Sequence, residues 1–135
     1  MAYDTILYEV RERICTITLN RPEHMNSYNS QMCQEINLAL DAADSDDDVR
    51  VVIFTGAEGG KRPAYCAGFD LTVDRPFDFS EAGFHNTRDT GGTNALRIYA
   101  MRKPVLAAIN GSAVGIGITM TLPMDMRILS EDAKL

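Results

Sequence analysis

Hydrophobic and polar positions change rhythm several times along the chain, and each change marks an element. Near the start, "TILYEV" and "ICTITLN" are β-rich runs separated by the charged "RER". They predict an antiparallel hairpin with Cys15, Ile17 and Leu19 on one face and Ile14, Thr16 and Thr18 on the other. "RPEHMN" ends the second run, because Pro22 has no N–H to give a ladder. Ser27 or Asn29 is then placed to cap a helix on which Met32, Ile36, Leu40 and Ala43 recur at helical spacing. That helix is expected to end near Asp44, with the aspartates of "SDDDV" just outside it, since negative charge is unfavourable at a helix C-terminus.

"VRVVIFTG" and "KPVLAAING" are continuous apolar runs closed by glycine, and they predict strands buried on both faces, the second starting at Pro104. Between them, Thr72 to Thr93 is polar, carries Pro76, Gly83, Gly91 and Gly92, and has no period. It predicts a long mobile loop, which in compact domains often serves as a substrate lid. A short helix from Asn94 to Met101 follows. "IGITMTLP" predicts another short helix after a glycine turn, and "DMRILS" a last strand. Strand–helix–strand order predicts an α/β protein with at least some parallel pairing.

Composition narrows the class. With 135 residues the chain is one domain or part of one, and 45% hydrophobic against 24% charged residues describes an ordinary globular chain. The net charge of −6 disfavours nucleic acid and anionic membrane surfaces as partners. The uncharged run from Ile109 to Met124 is broken by glycines and Pro123 and falls short of a membrane span. "MAYDTILYEV" lacks the layout of a secretory signal, and Cys15, Cys33 and Cys66 fit no disulfide framework; a reduced, cytoplasmic location is expected.

Several constellations fail when tested against their chemistry. "DSDDD" starts like a calcium loop but has Val49 where the sharp turn needs glycine and Thr55 where a glutamate is needed. His24 and His85 share no ligand spacing with each other or with a cysteine, so no metal site is expected. Cys66 in "AYCAGFD" reads as a small packing residue, no base being identifiable for a nucleophile. Gly115 and Gly117 begin a dinucleotide pattern whose third glycine is replaced by Met120. What remains is geometric: Gly68 and Gly115–Gly117 each sit where a strand gives way to a turn. Two such turns either simply join elements or aim two backbone N–H groups at one oxygen, as an oxyanion hole does.

Four stretches, "LNRPEHMNSYN", "VRVVIFTG", "YCAGFDL" and "KPVLAAINGSAVGIGITMTLPMDMRIL", come in the order and spacing of the crotonase superfamily. From about Ile6 to Leu135 the chain resembles the enoyl-CoA hydratase/isomerase family. The resemblance implies an α/β fold, a spiral of ββα turns forming two roughly perpendicular sheets flanked by helices, assembled as homotrimers or dimers of trimers. Complete members are about twice as long, so the resemblance covers the N-terminal part of the spiral core without the helical trimerisation region. An isolated half is expected to expose apolar surface that the missing piece would cover.

The resemblance also implies an acyl-CoA thioester substrate, coenzyme A being part of the substrate and no further cofactor being needed. Its enolate would be held by the backbone N–H groups of Phe69, at the variable position of A-G-x-D, and Ile116, in the middle of the glycine triplet. The implied substrate contacts are His24 and Met25 after the R-P, then Ala64, Cys66, Gly68, Phe69, Asp70 and Leu71, and finally Gly115, Ile116 and Thr119.

Thr119 is the departure. Hydratases of the family carry a glutamate there, paired with a second one whose position falls past Leu135. A threonine hydroxyl cannot serve as the base near neutral pH. Double-bond isomerisation, which needs one base beside the oxyanion hole, therefore stands next to hydration as the expected reaction, its base again lying past this stretch. Asp70 is expected to cap the next helix, and Asp125 to be a buried joint between helix and strand. A homologue that binds a CoA thioester without turning it over, or an inactive fragment, is the alternative.

Overall fold

The first two strands form as the alternation requires. β1 (Ile6–Arg11) and β2 (Ile14–Leu19) pair antiparallel, with Arg11 opposite Ile14. Glu12 and Arg13 close the hairpin in the left-handed region, at φ 50° and 70°, the twist that tight hairpins favour. Cys15, Ile17 and Leu19 are fully buried, and the opposite face is the more exposed one. This computed structural model describes residues 2–72 and 89–135. Most of the expected lid, and His85 with it, lies outside the described residues.

The long helix α1 (Ser30–Ser45) is capped by Asn29, not Ser27: Asn29 Oδ1 accepts the Met32 N–H at 2.8 Å. Met32, Ile36, Ala39, Leu40 and Ala43 form its buried stripe. Asp44 lies inside its last turn, where the dipole is unfavourable, and two cations answer it: Asp44 Oδ2 takes a bond from Arg97 at 3.2 Å and lies 3.6 Å from Arg102 Nε, while Oδ1 accepts the Arg102 backbone N–H at 3.2 Å. Crossing over through α1, the chain returns as β3 (Val51–Gly56), parallel to β2.

Two strand–strand–helix turns follow. The first is β3, β4 (Ala64–Cys66) and α2 (Thr90–Tyr99); the second is β5 (Val105–Ile109), β6 (Ser112–Ala113) and the single-turn α3 (Ile116–Thr119), leading to β7 (Met126–Leu129). One sheet has the order β1-β2-β3-β5-β7, parallel beyond β2, while β4 and β6 pair parallel in a second, two-stranded sheet. The core lies on one face of the larger sheet, under α1 and the β4–β6 pair.

Three expectations are corrected. β3 and β5 are not buried on both faces: Val52, Phe54, Val105, Ala107 and Ile109 are buried, but Val51, Ile53, Leu106 and Ala108 between them are half-buried. Among the described residues the helices cover one side of the sheet, so the apolar runs reflect strand propensity as well as burial. The helix expected from Asn94 starts at Thr90, because Asp89 caps it, Oδ1 accepting the Gly92 N–H at 2.6 Å, and so offsets two glycines in the first turn. Asp125 is a joint but an exposed one. It bonds both ways with Val105, N–H to carbonyl at 2.8 Å and Oδ2 from N–H at 2.8 Å, and so holds the starts of β5 and β7 together. Among the described residues no helix is long and apolar enough to cross a membrane.

Candidate active site

Each short strand of the second sheet ends in a glycine with left-handed φ: Gly68 after β4, at 105°, and Gly115 after β6, at 57°. The segment from 64 to 70 runs between two others. On one side Ala67 N–H donates to the Met25 carbonyl, the Gly68 carbonyl accepts from Tyr28 N–H, and Asp70 N–H donates to the Tyr28 carbonyl. On the other side the Cys66 carbonyl accepts from Val114 N–H at 3.0 Å. Phe69 sits between the two bonds to Tyr28, in a parallel bridge, so its own N–H projects to the opposite edge, where β6 and α3 lie.

At that edge Gly115 adopts φ 57°, ψ −122°, a conformation open essentially only to glycine, and turns the chain into α3. Ile116 is the first helical residue, so its N–H has no acceptor within the helix; the ladder begins with Gly117 N–H on the Val114 carbonyl at 2.9 Å. Gly117 presses flat on β4: a Cβ there would overlap the Cys66 carbonyl oxygen. The two turns are thus in direct backbone contact.

The other expected site residues divide into groups. Met25, at φ 56°, and Ala64 line a cavity of about 290 Å³ together with Pro22, Asn26, Arg62 and Asn110. His24 ends a 3-10 turn (Pro22–His24) with its side chain exposed, its Nε2 4.0 Å from Glu23. Leu71 is 77% exposed beyond the Gly68 turn, and Thr119 is exposed at the end of α3. Cys66 is fully buried, and that burial pushes its thiol up to about 11. Iodoacetamide at pH 8 is accordingly expected to leave Cys66 unmodified in the native protein and to label it after unfolding in urea, as read by mass spectrometry.

Asp70 is buried and caps the turn that follows it; the helix it was expected to cap would fall on 73–88, outside the described residues. Oδ1 accepts the Thr72 N–H at 3.0 Å and the Thr72 hydroxyl at 2.6 Å, while Oδ2 takes Arg21 Nη2 at 2.9 Å. These bonds, the Thr72 hydroxyl first and the Arg21 guanidinium next, hold its carboxyl down to about 2.

Three residues that hold the site carry little or no mark in the sequence. Arg21 also donates to the Ser27 carbonyl at 2.7 Å. Asn26, buried and at φ 54°, donates to the carbonyls of Ala57 and Ala64 at 3.0 and 2.9 Å. Tyr28 meets the Phe69 ring edge-on, centroids 5.2 Å apart. Only Asn26 had a local signal, asparagine being the side chain that most readily takes a left-handed backbone. Among the described residues no three His, Cys, Asp or Glu side chains gather as a metal centre requires.

Strand–strand–helix turns whose short strands end in apposed glycine turns define the class: an α/β spiral of the crotonase type, which the solved neighbours share. The enoyl-CoA hydratase/isomerase family matches residues 9–135, and the chain belongs to that family. It is similar to an enoyl-CoA hydratase of Alternaria alternata, 46% identical over 126 residues that make up 90% of this chain and 39% of that one. A probable enoyl-CoA hydratase of Mycobacterium tuberculosis is 34% identical over 134 residues, 99% of this chain and 49% of the relative. Among solved structures, an enoyl-CoA hydratase/isomerase from Xanthobacter autotrophicus superposes with a TM-score of 0.85 at 35% identity, over 98% of this chain and 48% of that one. The chain spans about half the length, or less, of the relatives it matches.

Proposed function

We propose that this chain carries the thioester-binding turns of an acyl-CoA-processing enzyme, which hold an enolate oxygen between the N–H groups of Phe69 and Ile116. The observation that supports this most is the bridge to Tyr28: it turns the Phe69 N–H toward the edge at which the Ile116 N–H stands without a helical acceptor. Two preorganised amides stabilise a developing negative charge without having to reorganise, and such stabilisation usually contributes more to catalysis than any other single effect. The cavity around Met25 and Ala64 lies along the same segment and suits the coenzyme A portion, with Arg62 available to its anionic groups. Assembly as a homotrimer or dimer of trimers, in the cytoplasm, belongs to the same reading.

The reaction is narrowed by the acids. Asp70 is committed to Arg21 and Thr72, Asp125 to Val105, and position 119 is a threonine. On this reading none of the three is the general base, and shifting a double bond, which needs one base, fits at least as well as adding water. Full-length enzyme is expected to turn over a 3-enoyl-CoA or a 2-enoyl-CoA; turnover of neither, followed spectrophotometrically, would refute both. Thr119 also favours one other reading, a homologue that binds the thioester without chemistry. Micromolar binding of acyl-CoA by calorimetry with no turnover of either substrate would establish that one instead.

A further inference from the structure

The two donor turns follow different strands, yet one helix touches both. α2 reaches the Gly68 turn through Tyr28. The fully buried phenol donates to Asn94 Oδ1 and lies 3.3 Å from the Thr90 carbonyl. The rest of the amide fixes the direction of that bond. Asn94 Nδ2 donates to the Cys33 carbonyl at 3.0 Å and to Asn37 Oδ1 at 2.8 Å, which leaves Oδ1 as the acceptor for the hydroxyl. The same tyrosine brackets Phe69 with its backbone and lies edge-on against its ring.

α2 reaches the Gly115 turn directly. Gly91, in its first turn, seats the Ile116 side chain so closely that a Cβ there would overlap Ile116 Cδ1. The Asp89 cap fixes where that first turn begins.

We propose that α2, locked by the Tyr28–Asn94 hydrogen bond, sets the spacing between the Phe69 and Ile116 amides, with Tyr28 and Asn94 as positioning residues. The inference rests on the oxyanion reading above. Asn94 is fully buried and uses its whole amide, so the cluster has one arrangement, whereas a purely apolar contact tolerates slippage. An oxyanion site is sensitive to such slippage, because a displacement of about 1 Å costs roughly a hundredfold in rate. The lock gives the helix a defined seat; the glycine gives it a defined reach.

Tyr28→Phe keeps the ring and its contact with Phe69 and removes only the hydroxyl. Two measurements on full-length protein read the effect: the thioester carbonyl frequency of a bound, unreactive acyl-CoA by difference infrared spectroscopy, and steady-state kinetics. Bound to wild type, the carbonyl is expected to shift to lower frequency. In Tyr28→Phe that shift is expected to shrink and kcat to fall by about tenfold or more, with KM inside about twofold. Gly91→Ala, which pushes on Ile116 from the same helix, is expected to reproduce the loss, and it carries the test if Tyr28→Phe does not fold. Asn37→Ala removes a bond to Asn94 on the side away from Tyr28; it is expected to lower Tm and leave the frequency in place. An unchanged frequency and kcat in the first two variants overturns the proposal, as does an equal loss in Asn37→Ala. No shift on wild type overturns the oxyanion reading itself, a separate outcome.

Discussion

Replacing Gly117 with alanine is expected to lower kcat by about 10²- to 10³-fold, the range observed when one preorganised donor leaves an oxyanion site. The cause is steric. A Cβ at this position would overlap the Cys66 carbonyl oxygen, which belongs to the backbone and is held by Val114 N–H at 3.0 Å. Relief requires α3 to lift from β4, and lifting α3 carries the Ile116 N–H away from the Phe69 turn. Stability is expected to fall as well, by about 1–3 kcal/mol, as in other overpacked interiors. Kinetics on an enoyl-CoA substrate and a thermal melt of the same sample check both effects. Retention of kcat with a lowered Tm would show that α3 packs at the site without serving it.

The second large effect concerns Arg21. Its guanidinium and the Asp70 carboxylate are 12% and 7% exposed, so removing Arg21 leaves a buried carboxylate without its counter-charge, held only by Thr72. Arg21→Met is expected to destabilise the fold by about 3–5 kcal/mol, a large share of what an ordinary domain possesses. Urea denaturation at pH 7 measures it. The double variant with Asp70→Asn is expected to recover much of the loss, because both charges are then gone.

The pair also predicts the acid limb of stability. The Asp70 carboxyl is held at about 2 in the folded chain, below its ordinary value, so its contribution is fully present above about pH 4. It is lost as pH falls from about 4 toward 2. In Arg21→Met the folded value rises, one of the groups holding it down being gone, and the acid transition is expected to begin at higher pH.

Much of this could be read from the residues alone, for reasons that differ by element. The hairpin and α1 were legible because their signals are local: alternation with a charged turn, and an apolar stripe behind a capping asparagine. The glycine turns were legible because positive φ restricts residue choice so strongly. The faces of β3 and β5 were not legible, since Val, Ile and Phe favour strands whether one side or both are covered. The start of α2 was hidden by two glycines that a single aspartate cap offsets. Nothing local marks Arg21 as the partner of Asp70, 49 residues away, or Tyr28 as the partner of Asn94, 66 residues away. The two strand–strand–helix turns repeat in space without repeating in sequence, so the spiral itself could be recognised only by resemblance.

The strip in which segment 64–70 lies between segments 25–28 and 112–116 carries a consequence for how the molecule comes together. The first hairpin and α1 close over short chain separations and so can appear early. Every bond that defines the strip joins distant parts of the chain, and each is rewarded only after a long loop has closed. Partly collapsed chains would therefore hold sheet and helix but no competent oxygen-binding turns. On the proposed function, catalytic competence in the full-length enzyme is expected to arrive with completion of folding, and recovered turnover is then a stricter measure of refolding than any optical signal of secondary structure.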